Sequence, residues 1–226
     1  FSLPDNIEAS IHVNTGSQEI FNNLLLGTNI HHFTSTKEKD FVRLFNPISV
    51  RFPHGLWANW YDWRRDVSRV FGEEEFEYKQ GVNEKPKMQT IGFLPNLKIF
   101  DRGNIKVGIN GLTELNTQRK SSVGKGYNMM WTFNMSADGL NFNNGSPESI
   151  AFYESLINRG FEVKDVEMGN ENFYPNQRSS IIPNSEDYIA RAKSISAALK
   201  AKDPSIRVSI PLLRRGSWAD PNWNKD

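Results

Sequence analysis

The chain has 226 residues, which is enough for one large domain with a sizeable buried core. It carries 27 lysines and arginines against 26 aspartates and glutamates, and the two signs are interspersed, so no basic patch predicts a nucleic-acid partner. The absence of cysteine excludes disulfides, a thiolate nucleophile and cysteine-based zinc sites. No apolar stretch reaches the roughly 18 residues that a membrane-spanning helix requires.

Short apolar runs alternate with helical periodicity after a lead-in over residues 1–23. The predicted strands are Leu24–Ile30, Ile48–Phe52, Met129–Phe133, Val163–Met168 and Ile206–Leu212. The predicted helices are residues 37–46, a segment containing Ile109, Leu112 and Leu115 with Asn110 as its candidate cap, residues 146–160, and a segment from Ser185 to before Pro204. Residues 64–90 are charged and show no clear period, so no element is predicted there.

Strands that alternate with helices in this way indicate parallel βαβ units. Each unit takes about 38 residues, so eight units would need roughly 300 residues, the usual size of an eightfold barrel. We therefore predict an α/β fold of the (β/α)8 TIM-barrel type, with about the first five strands present and residues 24–226 forming the N-terminal portion of the barrel. An open half-barrel exposes strand edges and apolar surface, so we expect a missing barrel half or self-association.

Polar residues follow the predicted strands at their carboxyl ends, where a parallel barrel builds its active site. This placement predicts a substrate-binding rim, and an aromatic run over residues 57–63 adds flat rings, which can pack on the apolar faces of sugars. The expected substrate-binding residues are Asn170, Arg51, His54, Asn29, His32, Asn134, Trp57, Trp60 and Tyr174. We expect one or two of the clustered aromatic side chains at a sugar subsite.

Glu171 is the predicted catalytic residue. A carboxylic acid that follows a strand beside an amide donor, Asn170, is suited to acid–base chemistry on a hydroxyl-rich substrate. Phe173 and Tyr174 flank it, and nearby rings reduce the hydration of a carboxylate and favour its protonated form. The pair His31-His32 is not expected to bind a metal, because adjacent residues of a strand point to opposite faces.

Two motifs resemble a known group of enzymes. The segment Glu167-Met168-Gly169-Asn170-Glu171 resembles the strand-four motif of glycoside hydrolase clan A. The segment Arg51-Phe52-Pro53-His54-Gly55, followed by Ala58-Asn59-Trp60-Tyr61-Asp62-Trp63, resembles the strand-two segment of family 51 α-L-arabinofuranosidases and their relatives. His54 stands where that family usually has glycine, and residues 26–29 are a looser match to strand one.

The resemblance implies a (β/α)8 barrel and hydrolysis with retention of configuration. It makes Glu171 the general acid/base and Asn170 the partner of the substrate 2-hydroxyl. In the clan the nucleophile is a second glutamate on strand seven, so here it is expected beyond residue 226. Retaining hydrolysis needs both carboxyl groups, about 5–5.5 Å apart. Glu167 does not replace the second glutamate, since it belongs to the strand that precedes Glu171.

We therefore expect a segment of a retaining glycoside hydrolase that acts on a plant or algal polysaccharide or oligosaccharide. The expected partner is the carbohydrate substrate, with no nucleic acid, no membrane span, no metal and no cofactor. The expected location is secreted or periplasmic. Two alternatives remain open: a non-catalytic glycan-binding module on a hydrolase-like barrel, and a lyase or isomerase on the same fold, because fold does not determine function.

Overall fold

The computed structural model describes residues 27–29, 33–71, 103–136, 145–174, 177–178, 181–213 and 223. Several predictions concern other parts of the chain. The lead-in over residues 1–23, the start of the first predicted strand and the pair His31-His32 lie outside the described residues. Within the described ranges, no helix is both long enough and apolar enough to span a membrane.

The described residues form eight strands and four α-helices. The strands are β1 (Gly27–Thr28), β2 (Ser49–Phe52), β3 (Tyr61–Asp62), β4 (Val67–Phe71), β5 (Gly103–Lys106), β6 (Asn128–Phe133), β7 (Asp165–Met168) and β8 (Arg207–Ser209). The helices are α1 (Thr36–Phe45), α2 (Ile109–Val123), α3 (Gly145–Asn158) and α4 (Ser185–Lys202), and a 3-10 helix covers Gly55–Trp60.

The main sheet confirms the predicted α/β class with parallel strands. Its order is β1-β2-β6-β7-β8, all neighbours are parallel, and the order follows the chain without reversal. The last predicted strand, Ile206–Leu212, is longer than β8. The ladder between β7 and β8 ends at the pair Glu167 and Ser209, because β7 turns away at Gly169, which has a φ of 77°.

The two faces of the main sheet differ in chemistry because successive side chains on a strand point to opposite faces. One register row joins Phe52, Trp131, Val166 and Val208 across four strands, and its first three members are completely buried. This face packs against the helices, where Phe152 of α3 lies 5.2 Å from Phe133 between ring centroids. The opposite face carries mostly polar side chains: Arg51, Thr132, Asp165, Glu167, Arg207 and Ser209.

A second, smaller sheet lies in the connection between β2 and α2. Strands β3, β4 and β5 are antiparallel in that order. Strand β4 falls within the charged stretch 64–90, for which the sequence predicted no element. Val67 and Ser68 are nevertheless buried, and the strand pairs on both sides. Because this connection follows the carboxyl end of β2, it adds structure on the edge of the main sheet that carries the candidate site.

The start of α2 is set by a distant carboxylate. The helix begins at Ile109 with Gly108 as its N-cap, so the expectation that Asn110 caps this helix is wrong. Asp66 instead accepts hydrogen bonds at 3.0 Å from the backbone N–H groups of Gly108 and Ile109. It also accepts one from the hydroxyl of buried Tyr61 at 3.0 Å. Burial, reinforced by the charge of Asp66, raises the pKa of Tyr61, so this hydroxyl stays a donor.

Replacing Asp66 by alanine should lower the free energy of unfolding by about 2–3 kcal/mol. The change removes the helix cap and also leaves a buried phenol without its acceptor. Asp66→Asn keeps an oxygen acceptor and tolerates the left-handed backbone at this residue (φ 55°), so we expect it to cost less. Urea denaturation of both variants measures the difference. Equal losses for alanine and asparagine would contradict the role of the acceptor oxygen.

Candidate functional site

The candidate site lies in the turn that follows β7. Gly169 and Glu171 both have left-handed backbone, with φ values of 77° and 46°. A Cβ atom at Gly169 would lie 2.0 Å from Oδ1 of Asn172, so the position accepts only glycine. These two residues turn the chain sharply on either side of Asn170. The turn sits beside the ends of β2 and β6, since parallel strands finish at the same edge of a sheet.

Asn59, from the 3-10 helix, holds the backbone of Asn170. Its Nδ2 donates to the carbonyl oxygen of Asn170 at 2.7 Å, and its Oδ1 accepts from the backbone N–H of Asn170 at 2.9 Å. The Asn59 side chain is completely buried, so the bidentate contact supplies the pairing that a neighbouring strand would otherwise give. Asn59 therefore fixes the turn to the loop that follows β2.

Arg51 connects the two sequence motifs in space. From β2 its Nε donates to Oε2 of Glu167 on β7 at 2.6 Å, and its Nη2 donates to Oδ1 of Asn170 at 2.9 Å. On β6, which lies between those strands, the hydroxyl of Thr132 also donates to Oε2 of Glu167, at 3.0 Å. A half-buried guanidinium is thus paired with a carboxylate, as a charge in such a setting requires.

The Glu171 carboxylate is bound through one of its oxygens. Oε2 accepts from Nε2 of Gln177 at 2.8 Å and from Nδ2 of Asn170 at 3.2 Å. Gln177 in turn accepts at Oε1 from Asn170 at 2.8 Å and from Asn59 at 3.0 Å. The structure therefore joins Arg51, Asn170 and Glu171 in one continuous network of hydrogen bonds.

The expected shielding of Glu171 by aromatic rings needs correction. Phe173 is buried and packs against half-buried Tyr174, with ring centroids 4.6 Å apart, but the Glu171 side chain is exposed. Phe173 is therefore part of the core, whereas the neighbouring Glu171 side chain contacts solvent. The local environment of the carboxylate is therefore set by two amide donors and water.

The other predicted rim residues differ in their accessibility. His54 and Trp60 are buried, Trp57 and Asn134 are half-buried, and Asn29 is exposed directly after β1. Asn134 Nδ2 donates to the carbonyl oxygen of Tyr61 at 3.2 Å and thereby joins the end of β6 to the small sheet. Among the clustered tryptophans, Trp57 and Trp63 retain exposed surface that a ligand can contact. His32 lies outside the described residues.

The network contains residues that the sequence did not identify as functional. Gln177 follows Glu171 by six positions in an irregular loop, where no periodicity marks it. Asn59 lies within the aromatic run, and its position among the rings is the one signal that points to it. Thr132 occupies an ordinary strand position, and its role depends on the register of β6 with β7.

Below the network, Tyr188 ties α4 to the end of β7. Its hydroxyl donates to the carbonyl oxygen of Met168 at 2.7 Å. Burial is the main cause that raises the pKa of Tyr188, and the charge of Glu167 adds to it, so the hydroxyl remains a donor. This contact holds the residue that directly precedes the turn.

The described residues define an α/β protein whose parallel sheet carries a cluster of arginine, amide and carboxylate groups at its carboxyl edge. Such groups donate to and accept from hydroxyls, and an exposed carboxylate can exchange protons with a ligand. No group of three or more histidine or acidic side chains suited to a metal ion occurs in the described part of the chain. Comparison of the sequence with protein-family models and with curated proteins found no match.

Proposed function

We propose that the protein is the part of a retaining glycoside hydrolase that carries the general acid/base, Glu171. The observation that supports this most is the Arg51–Asn170–Glu171 network. Its members come from two sequence segments about 120 residues apart, and each segment resembles a motif of the same enzyme clan. The two segments meet at the carboxyl edge of a parallel sheet, which is where barrel enzymes act.

Two features of the main sheet support a (β/α)8 barrel over a doubly wound sheet. A doubly wound sheet reverses its strand order at a switch point, whereas β1-β2-β6-β7-β8 follows the chain without reversal. Right-handed crossovers in one direction place all helices on one face of the sheet. The polar face would then line the barrel interior, with the pair of Arg51 and Glu167 inside it.

Exposed apolar side chains at both ends of the sheet support a barrel with further units. Helix α1, the first of the described helices, exposes Phe41, Phe45 and Leu44, the last to 87%. At the other end, Ile210 and Leu212 are exposed after β8. Contiguous apolar surface at such positions is normally covered by other parts of a fold. In our proposal the remaining barrel units cover it, and one of them supplies the nucleophilic glutamate.

The proposed reaction uses the exposed carboxyl group twice. Protonated Glu171 first gives its proton to the leaving oxygen of the glycosidic bond, while the nucleophile forms a covalent glycosyl intermediate. The Glu171 carboxylate then removes a proton from water as that water hydrolyses the intermediate. Polymers of plant or algal walls lie outside cells, which is why the proposal includes a secreted or periplasmic location.

A hydrolysis assay with a matched variant tests the proposal. The complete enzyme, with the remaining barrel units that the proposal assigns to it, is incubated with a panel of soluble plant and algal polysaccharides, and new reducing ends are measured for it and for its isosteric variant Glu171→Gln. We expect at least one polysaccharide to be cleaved by the protein and at least about 100-fold more slowly by the variant. The first product seen by proton NMR should have the anomeric configuration of the substrate.

The same panel separates the alternatives. Binding of a polysaccharide without cleavage, with equal affinity for the protein and Glu171→Gln, would indicate a glycan-binding module. A product with a new carbon–carbon double bond would indicate a lyase. Inverted configuration in the first product would contradict the double-displacement reaction while leaving hydrolysis itself in place.

A further inference from the structure

We infer that Gln177 is a positioning residue for Glu171, and that it makes Oε1 the oxygen that carries the catalytic proton. The inference rests on the proposed function, which it deepens by assigning a role to each oxygen of the acid/base. It is based on the direction of each hydrogen bond in the series that runs from Arg51 through Asn170 and Gln177 to the Glu171 carboxylate.

The directions follow from the chemistry of the groups. A guanidinium only donates, so the atom of Asn170 that faces Arg51 at 2.9 Å is its oxygen, and the amide nitrogen faces the other way. That nitrogen donates to Gln177, which must therefore present Oε1 to it at 2.8 Å. Nε2 of Gln177 then lies on the side of Glu171, and it donates to Oε2 at 2.8 Å.

Asn59 fixes the same orientation independently. Its Oδ1 accepts from the backbone N–H of Asn170, so its Nδ2 carries the donors, one of which reaches Oε1 of Gln177 at 3.0 Å. Both lone pairs of that oxygen are then used. Rotation of the Gln177 amide by 180° would place an N–H group against two other N–H groups. The donor that faces Glu171 is therefore determined from two directions.

The backbone of Gln177 is held as firmly as its side chain. Its carbonyl oxygen accepts from the hydroxyl of Ser136 at 2.7 Å and from Nδ2 of Asn172 at 2.9 Å. Gln177 is only 7% exposed, whereas the carboxylate that it contacts is exposed. Gln177 is therefore a buried donor with a fixed backbone. Its hydrogen bond restricts the orientation of the exposed Glu171 side chain.

The consequence concerns the proton. Oε2 already faces two N–H groups, so a proton placed there would compete with Gln177 and Asn170 for the same lone pairs. Among the described residues, no hydrogen bond is made to Oε1. In the acid step, the bond from Oε1 to hydrogen breaks and the proton moves to the glycosidic oxygen as its bond to the sugar carbon cleaves. The negative charge left on the carboxylate is stabilised at Oε2 by the two amide donors.

The contact itself can be tested without any catalysis. In a ¹H–¹⁵N correlation spectrum, a side-chain amide proton of Gln177 that donates to a carboxylate resonates downfield. Removal of the carboxylate should shift this proton signal upfield. We expect that shift in Glu171→Ala, which alters an exposed side chain and should fold normally. Tyr174→Phe is the matched control, because it changes the same turn without touching the carboxylate. An unchanged Gln177 signal in Glu171→Ala would overturn the inference, whatever the protein cleaves.

The effect on catalysis is tested with the near-isosteric variant Gln177→Met. For a polysaccharide that the protein hydrolyses, we expect kcat/KM to fall about 10- to 100-fold, since the variant loses a hydrogen bond to a charged group. For a dinitrophenyl glycoside of the same sugar, whose leaving group needs little protonation, we expect a change below about threefold. Glu162→Ala is the control: it removes an exposed carboxylate at the opposite end of β7, outside the network, and should change neither rate by more than about twofold.

The two measurements separate failure of the inference from failure of the proposed function. If the complete enzyme without substitutions cleaves neither substrate, the proposed hydrolase fails, and with it the role of Gln177 in proton transfer. If it cleaves both and Gln177→Met loses activity equally on the two, Gln177 has only a structural role. As a further check, Gln177→Met should add no loss on the polysaccharide in a protein that already carries Glu171→Ala.

Discussion

Replacement of Glu171 by alanine should slow the hydrolysis of an unactivated oligosaccharide by about 10²- to 10⁴-fold, the usual contribution of a general acid. The same change should affect glycosylation by a dinitrophenyl glycoside much less, because this leaving group departs without protonation. The prediction depends on the position of the carboxylate. Glu171 is the exposed member of the network, whereas Glu167 is neutralised by Arg51.

The split between substrates identifies a proton donor and distinguishes it from a binding residue. A residue that only binds the sugar would affect both substrates alike, since they share the sugar and differ in the leaving group. The measured quantity is kcat/KM for each of the two substrates, obtained from initial rates. Glu162→Ala is a suitable control, because Glu162 is an exposed carboxylate that precedes β7, at the opposite end of the strand. We expect that control to change either rate less than about twofold.

Equal losses on both substrates would contradict the acid/base role of Glu171. Such a result would leave the carboxylate as a hydrogen-bond partner of the sugar. A large loss confined to the activated substrate would also contradict it, because the base step does not depend on the leaving group that has already departed. Each outcome is therefore informative about which step uses the carboxyl group.

The sequence predicted the parallel sheet well because the signal for it is local. Buried strands such as Met129–Phe133 appear as short apolar runs, and Ser35 and Glu38 mark the start of α1 through a capping box. The end of β8 was less predictable. A strand with one partner ends where that partner turns away, and this depends on another part of the chain.

The small antiparallel sheet was not predictable for the same reason. Strand β4 contains polar and charged residues, and its pairing with β3 and β5 gives it a structure that its own composition does not indicate. The cap of α2 is a second example. Asp66 lies more than 40 residues before the N–H groups that it accepts from, so a search for a neighbouring cap selected Asn110 instead.

The candidate site was predictable in position but not in detail. Motif resemblance and strand ends identified Arg51, Asn170 and Glu171, which the structure joins by hydrogen bonds. Gln177 and Asn59 were not identified from the sequence, because an amide side chain in a loop has no periodic neighbours. Its role arises only when distant loops meet. The exposure of Glu171 was not predictable either, since the neighbouring Phe173 and Tyr174 suggested a shielded carboxylate and nothing in the sequence indicates the left-handed backbone at Glu171.

Replacement of Trp131 by alanine should lower the free energy of unfolding by about 3–5 kcal/mol, a large part of the stability of an ordinary domain. Trp131 is completely buried in β6, the central strand of the main sheet. Its ring lies 4.9 Å from that of Phe161 and 5.9 Å from that of Phe52, measured between centroids. Its Nε1 also donates to the carbonyl oxygen of Glu162 at 3.3 Å.

The size of the effect follows from the position of the indole between the sheet and α3. Alanine would leave a cavity bordered by aromatic rings, which are held by their own strands and helices and cannot collapse into it. Urea denaturation measures the loss, and Val123→Ala, at a 52% exposed position at the end of α2, should change stability by less than about 0.5 kcal/mol. If the alanine variant does not fold, Trp131→Phe provides a smaller loss that can still be measured. A cost below about 1 kcal/mol for Trp131→Ala would contradict this account. It would mean that the row from Phe52 to Val208 is not the core that holds the helices to the sheet, and that other contacts keep the strands of the candidate site in place.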